Sequence, residues 1–243
     1  MLVVWLVVLV VFVGALTRAT FGFGEAVVAM PLLALLPIGL PTAASLMGLV
    51  GLTIAVVSVL GGSRAVDRGV LLRLSLGTLV GVPGGLLLVL LVPEAVVSLL
   101  LGLFLVVYGA YALSARARPG PLATRWAGPV GIVAGGLGSA YSFHGIPVVV
   151  YGTLRGWSPE VFRGTLQAFF LVSGALVVAG QAIGGLWSEE LVLLALTALP
   201  AVGLAVLLGR VLHTRMPAHR FHHYVHLLVV VLGLVLVVKV LAG

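Results

Sequence analysis

Residues 17–33 read Thr17-Arg18-Ala19-Thr20-Phe21-Gly22-Phe23-Gly24-Glu25-Ala26-Val27-Val28-Ala29-Met30-Pro31-Leu32-Leu33. A second stretch reads Gly135-Gly136-Leu137-Gly138-Ser139-Ala140-Tyr141-Ser142-Phe143-His144-Gly145-Ile146-Pro147. Each is a Gly-rich loop followed by a short apolar run that holds a proline. The runs, 25–37 and 145–154, have 13 and 10 residues, whereas a helix needs roughly 20 to cross a hydrocarbon core. Their length is that of broken or re-entrant helices inside a membrane protein.

The rest of the chain supplies the membrane protein around them. Of 243 residues 62% are hydrophobic and only 8% charged, and the mean hydropathy is +1.32, which excludes a water-soluble globule. Apolar runs bounded by charge, Gly or Pro give ten segments, at about 1–17, 25–37, 42–62, 70–92, 95–115, 126–140, 145–154, 161–187, 190–209 and 221–242. The first lacks the basic start and cleavage site of a secretory signal and reads as the first span. With no Cys in the chain, disulfides and thiolate-bound metals are excluded.

The net charge of +7 orients the spans rather than marking a nucleic-acid surface. With the N-terminus outside and all ten segments counted, Arg64, Arg68, Arg116, Arg118, Arg125, Arg155, Arg210, Arg215 and Arg220 fall on the cytoplasmic side. Glu94, Glu189 and Glu190 fall outside. Shifting the chain by 116 residues sets Phe21–Leu33 over Leu137–Val149. Two halves of five segments each, 1–115 and 126–243 around a cytoplasmic linker at 116–125, then lie in opposite orientation, because five is odd. The expected architecture is an all-α polytopic membrane protein made of two inverted-topology repeats.

In the first loop, Gly22 and Gly24 permit non-helical backbone, and a helix starting near Glu25 aims its unpaired N–H groups at that loop. This arrangement attracts anions. The bland alternative is close packing at the glycines, with Arg18 and Glu25 in the headgroup layer. The second loop adds the hydroxyls of Ser139, Tyr141 and Ser142, the imidazole of His144 and a helix start at Gly145. In Arg155-Gly156-Trp157-Ser158-Pro159-Glu160-Val161-Phe162-Arg163-Gly164-Thr165-Leu166-Gln167, Ser158 and Pro159 begin a helix. Arg163 and Gln167 share one face of it, Gln167 within the membrane and Arg163 able to snorkel to the headgroups. His222 and His226 share a helical face at a metal-binding spacing, but beside Arg215 and Arg220 they read as an interfacial cluster. Gly77, Gly81 and Gly85 read as a close-packing ladder.

Gly-Phe-Gly with Met-Pro-Leu-Leu at 22–33, Gly-x-x-Tyr-x-x-x-Gly-x-Pro at 138–147 and Tyr-Gly-x-Leu-Arg-Gly-Trp with Phe-Arg-x-Thr-Leu-Gln at 151–167 resemble the TauE/SafE sulfite-exporter family, also called the toluene sulfonate uptake permease family. The similarity runs over nearly the whole chain. It implies export or uptake of small sulfur-containing anions such as sulfite, sulfoacetate or related organosulfonates, coupled to the proton gradient. Where members commonly carry a further Gly-rich step after Gly-x-Gly, this chain has Glu25 and Ala26; an acid there either repels an anion or is its proton-coupling partner.

The reading that follows is a non-enzymatic secondary transporter in the cell membrane, with both termini outside. Thr20, Gly22, Phe23 and Gly24 from one half, and Ser139, Tyr141, Ser142, His144 and Gly145 from the other, are expected to contact the anion. Arg18, Arg163 and Gln167 assist, and Glu25 and His144 couple protons. Expected partners are a small anion and the lipid bilayer, with no nucleic acid, cofactor or metal, and the chain acts as a monomer or homodimer. Rival readings are a passive small-anion channel, a carrier of small carboxylates and an intramembrane metalloenzyme.

Overall fold

The computed structural model describes residues 1–60, 65–114, 122–212 and 218–242, with backbone alone at 210, 218–226, 228 and 242. Arg64, Arg116, Arg118, Arg215 and residues 116–121 of the expected linker lie outside the described residues. So do the side chains of Arg210, Arg220, His222 and His226.

The described residues form ten α-helices and no strand, as the apolar runs predict. They are α1 (Leu2–Phe21), α2 (Glu25–Leu33), α3 (Leu40–Leu60), α4 (Arg68–Leu91), α5 (Glu94–Ser114), α6 (Ala127–Tyr141), α7 (Gly145–Arg155), α8 (Pro159–Ile183), α9 (Glu189–Leu212) and α10 (Ala218–Ala242). Helices α1, α3, α4, α5, α8 and most of α9 are long and apolar enough to cross a membrane. At 1.5 Å per residue, the 9 residues of α2 and 11 of α7 reach only about 13 and 16 Å, so neither crosses alone. α2 is shorter than the 25–37 run suggests. After Leu33 the chain tightens into three-residue turns, Leu35 N–H to Leu32 O and Leu36 N–H to Leu33 O. Pro37 disfavours helix in the residue before it.

Some helix starts are fixed by side chains. Asp67 Oδ1 accepts from Val70 N–H at 3.1 Å to begin α4, and Ser158 Oγ accepts from Val161 N–H at 3.4 Å, with Pro159 next, to begin α8.

Lipid offers no hydrophobic drive between helices, so close backbone approach has to hold them together. Along α4 and α6 it is extreme. A methyl group on Gly77, Gly81 or Gly85 would overlap the carbonyl oxygens of Gly128, Ile132 and Gly136 respectively, and one on Gly131 or Gly135 would overlap those of Leu74 and Thr78. The ladder is a packing seam, completed by Ser139 Oγ donating to Val82 O at 2.9 Å. α1 and α9 pair similarly, with Gly209 against Ala19. α3 packs on α8, and α5 on α10 through Gly102 and Gly233.

Polar contacts separate two ends of the bundle. At one, Arg155 pairs with Asp67 at 3.6 Å and donates to Leu122 O at 2.8 Å, and Asp67 N–H donates to Thr165 Oγ1 at 2.9 Å. At the far end of α4, Glu94 Oε1 accepts from Leu40 N–H at 2.6 Å. Side chains such as Leu60, Leu91 and Ile183 stand exposed around the outside, as do Trp5, Trp126 and Trp187, the pattern of a lipid-facing belt with interfacial aromatics. Inside are two apolar clusters, one containing Ala26, Phe143 and Ile146, the other containing Phe169 and Phe170. The candidate site lies where they meet.

Candidate functional site

α1 ends because Gly22 and Gly24 adopt φ of 90° and 98°, a left-handed conformation that a side chain disfavours. The Gly22 N–H closes the helix onto Arg18 O at 2.7 Å, and the chain doubles back into α2. The two helices lie so close that a methyl group on Gly14 would stand 2.8 Å from Glu25 O. This reversal brings Arg18 and Glu25, seven residues apart, into an ion pair between Arg18 Nη1 and Glu25 Oε1. Arg18 is 1% and Glu25 4% exposed, so the pair sits in the interior of the helix bundle.

The second loop bends at Ser142, whose φ is 59°. Ser142 N–H to Gly138 O at 2.8 Å and Phe143 N–H to Leu137 O at 3.1 Å cap α6 around this left-handed residue. Ser142 Oγ donates to Ala44 O on α3 at 2.7 Å. His144 then precedes α7, buried at 2%, its ring edge-on to Phe170 with centroids 5.3 Å apart.

The two loops face each other across a cavity of ≈ 20 Å³ lined by Phe23, Gly24, Glu25, Ser142, Gly145 and Phe170, among others. That is room for about one water molecule. The first turns of α2 and α7 both border it, so helix N–H groups with no intrahelical acceptor lie at the same place. Phe170 joins the elements: the Arg18 guanidinium lies 4.2 Å over its ring, and His144 abuts its edge.

Of the residues named from sequence, Phe23, Gly24, Glu25, Ser142 and Gly145 border the cavity. Arg18 and His144 touch residues that do. Gln167 Nε2 donates to Gly22 O at 2.9 Å, across 145 positions, and so braces the first loop. Thr20, Ser139 and Tyr141 are buried, but their hydroxyls donate to Leu16 O, Val82 O and Val97 O, which anchors the loops to their surroundings. Arg163 stands exposed a turn before Gln167 on α8.

Phe170 and Gln181 were not singled out from the sequence. Gln181 Nε2 donates to Ser139 O at 3.1 Å, and its Oε1 lies where a methyl group on Gly48 would stand 2.9 Å away. The signal was there: Phe170 is at i+3 from Gln167, and Gln167 and Gln181 are the only glutamines in a chain this apolar.

Several buried polar atoms have no partner among the described residues. They include Arg18 Nε and Nη2, Gln167 Oε1, Gln181 Oε1, Ser45 Oγ and His144 Nδ1. Unpaired donors on a buried guanidinium are costly in a low-dielectric interior unless an acceptor arrives. No group of three or more His, Cys, Asp or Glu is placed to hold a metal among the described residues; the side chains of His222 and His226 are outside them.

Neither a curated protein nor a solved structure matches the chain. A family model described as Sulfite exporter TauE/SafE matches residues 6–236, a span that takes in both loops, Arg18, Glu25 and the bracing Gln167. The chain belongs to the TauE/SafE sulfite exporter family of multi-pass membrane transporters.

Proposed function

We propose that the protein is a proton-coupled secondary transporter that carries small sulfur-containing anions, such as sulfite, sulfoacetate or another organosulfonate, across the cell membrane. The observation that carries this reading is Arg18. It is buried, it bonds Glu25 through Nη1, and its Nε and Nη2 lack acceptors among the described residues. Sulfite and sulfonate groups present several oxygens to a guanidinium fork, the geometry in which Arg outperforms Lys.

In this reading Arg18 supplies the charge, and the first turns of α2 and α7, entered through Gly24 and Gly145, supply N–H groups and favourable dipoles. Ser142 and Phe23 shape the cavity. Gly22 and Gln167 hold the first loop; Thr20, Ser139 and Tyr141 hold the loops' surroundings. Arg163, exposed on the approach along α8, attracts the anion. Glu25 and His144, the ionisable groups nearest the cavity apart from Arg18, carry the proton. A cavity with room for one water cannot enclose these anions, so loading requires the two loops to separate, as alternating access demands.

The packing supports reading 1–115 and 126–243 as inverted repeats joined by 116–125. Exchanging each helix with the one five places along turns the α1 and α9 contact into that of α6 and α4, and leaves the α3–α8 and α5–α10 pairs unchanged. With both termini outside, the Asp67–Arg155 end is cytoplasmic. The site is complete within one chain, which suits a monomer or a homodimer.

The test is flux into proteoliposomes with a panel of sulfite, sulfoacetate, other organosulfonates and small carboxylates. Saturable flux of at least one sulfur oxyanion, driven by an imposed pH gradient, is expected. Absence of flux for every member contradicts the proposal, and unsaturable electrogenic current makes the protein a channel.

A further inference from the structure

An anion site that contains a carboxylate poses a question of charge. Glu25 borders the cavity and is bonded to Arg18. From the elements around it, α1 offers Arg18, and α8 offers Phe170 and Gln167, which do not ionise. The start of α7 offers His144, held on Phe170. α3 approaches with Gly51, where a methyl group would stand 3.2 Å from Glu25 Oε1 and 3.3 Å from Arg18 Nη1. α10 contributes only the exposed Lys239 among its described side chains. One guanidinium therefore faces one carboxylate in a confined, buried place. A second anion beside an ionised Glu25 would put two like charges within a few ångströms at low dielectric, an arrangement that is strongly unfavourable.

We infer that Glu25 is a built-in stand-in for the substrate: its carboxylate occupies Arg18 when the site is empty, and a singly charged oxyanion binds there only as Glu25 takes up one proton. The inference rests on Arg18 being the anion site. The charges balance in both states. Arg18⁺ with Glu25⁻ sums to zero, and so does Arg18⁺ with the anion⁻ and neutral Glu25, whose new O–H can donate to the anion. Bisulfite, a monosulfonate, or sulfoacetate with its carboxyl protonated satisfies this balance, whereas an anion that keeps two charges does not. Proton and anion then move in the same direction, and the step carries no net charge, so membrane potential has no hold on it.

The experiment is isothermal titration of the purified full chain with methanesulfonate, which keeps a single charge at all working pH values, in buffers of differing ionisation enthalpy. The expected result is uptake of about one proton per anion bound, with affinity falling about tenfold per pH unit above neutrality. Ethane-1,2-disulfonate is expected to bind far more weakly. Glu25→Gln is expected to bind methanesulfonate with about one proton fewer taken up per anion than the unaltered chain, and with a correspondingly flatter pH dependence. Binding by the unaltered chain without proton uptake overturns the inference and leaves the anion site standing, and this measurement needs no variant to fold. Failure to bind methanesulfonate, bisulfite and sulfoacetate alike overturns the anion site itself, and the inference with it.

Discussion

The guanidinium carbon of Arg18 lies 4.2 Å over the centre of the Phe170 ring. The end of α1 and the middle of α8 thus meet across one aromatic face, whose edge carries His144 of the second loop. A desolvated contact of this kind contributes about 2 kcal/mol. Phe170→Leu is expected to lower unfolding stability by about that amount and to weaken methanesulfonate binding, both read from thermal melts in detergent with and without the anion.

The α4–α6 seam predicts a contrast between neighbouring glycines. A side chain at Gly81 meets the Ile132 backbone, whereas Gly84 has open space around it. Gly81→Leu is expected to cost at least the 1–3 kcal/mol or so of ordinary overpacking, because a backbone cannot step aside as a side chain can. Gly84→Leu is expected to leave the melting temperature unchanged.

Tyr141 anchors rather than faces the cavity, its hydroxyl donating to Val97 O at 2.9 Å. Tyr141→Phe removes that second hydrogen bond to a carbonyl already paired within α5, at a cost of about 0.5–1.5 kcal/mol. Melts should report this loss, while anion affinity measured by titration stays within about twofold, a change under 0.5 kcal/mol.

Orientation can be read directly, since the chain has no Cys. Arg125 and Glu189 are both exposed and, in the proposed topology, lie on opposite faces. In intact cells a membrane-impermeant maleimide should label Glu189→Cys and spare Arg125→Cys until the membrane is permeabilised. The reverse pattern would invert the assignment.

The helices were legible because a membrane imposes one rule on sequence: apolar runs interrupted by Gly, Pro and charge. The two Gly-rich loops were legible for the same reason, since φ of 90° at Gly22 and 98° at Gly24 leaves a residue signature. The Ser142 bend left a weaker one, because Ser is not the residue that φ of 59° favours. Partners across the bend were not legible. Arg18 and Glu25 each read as facing an anion or the headgroups, and that they face each other depends on the angle at which α2 leaves α1. Tyr141 and Ser139 look like ligand hydroxyls in sequence, and only the arrival of α4 and α5 beside them gives those hydroxyls other acceptors. Phe170 is one aromatic among nine Phe, distinguished only by what comes to rest on it.

The central claim is that buried Arg18 is the anion's counter-charge. Removing Arg18 alone would strand Glu25 at a cost of about 3–5 kcal/mol, so the fair variant is Arg18→Met with Glu25→Gln, which removes both charges. The deciding measurement is the uptake of radiolabelled sulfite into proteoliposomes by this double variant, once its melt shows that it folds, beside the unaltered chain. Saturable uptake by the unaltered chain and none by the variant is the predicted result. Equal uptake by both would contradict the account.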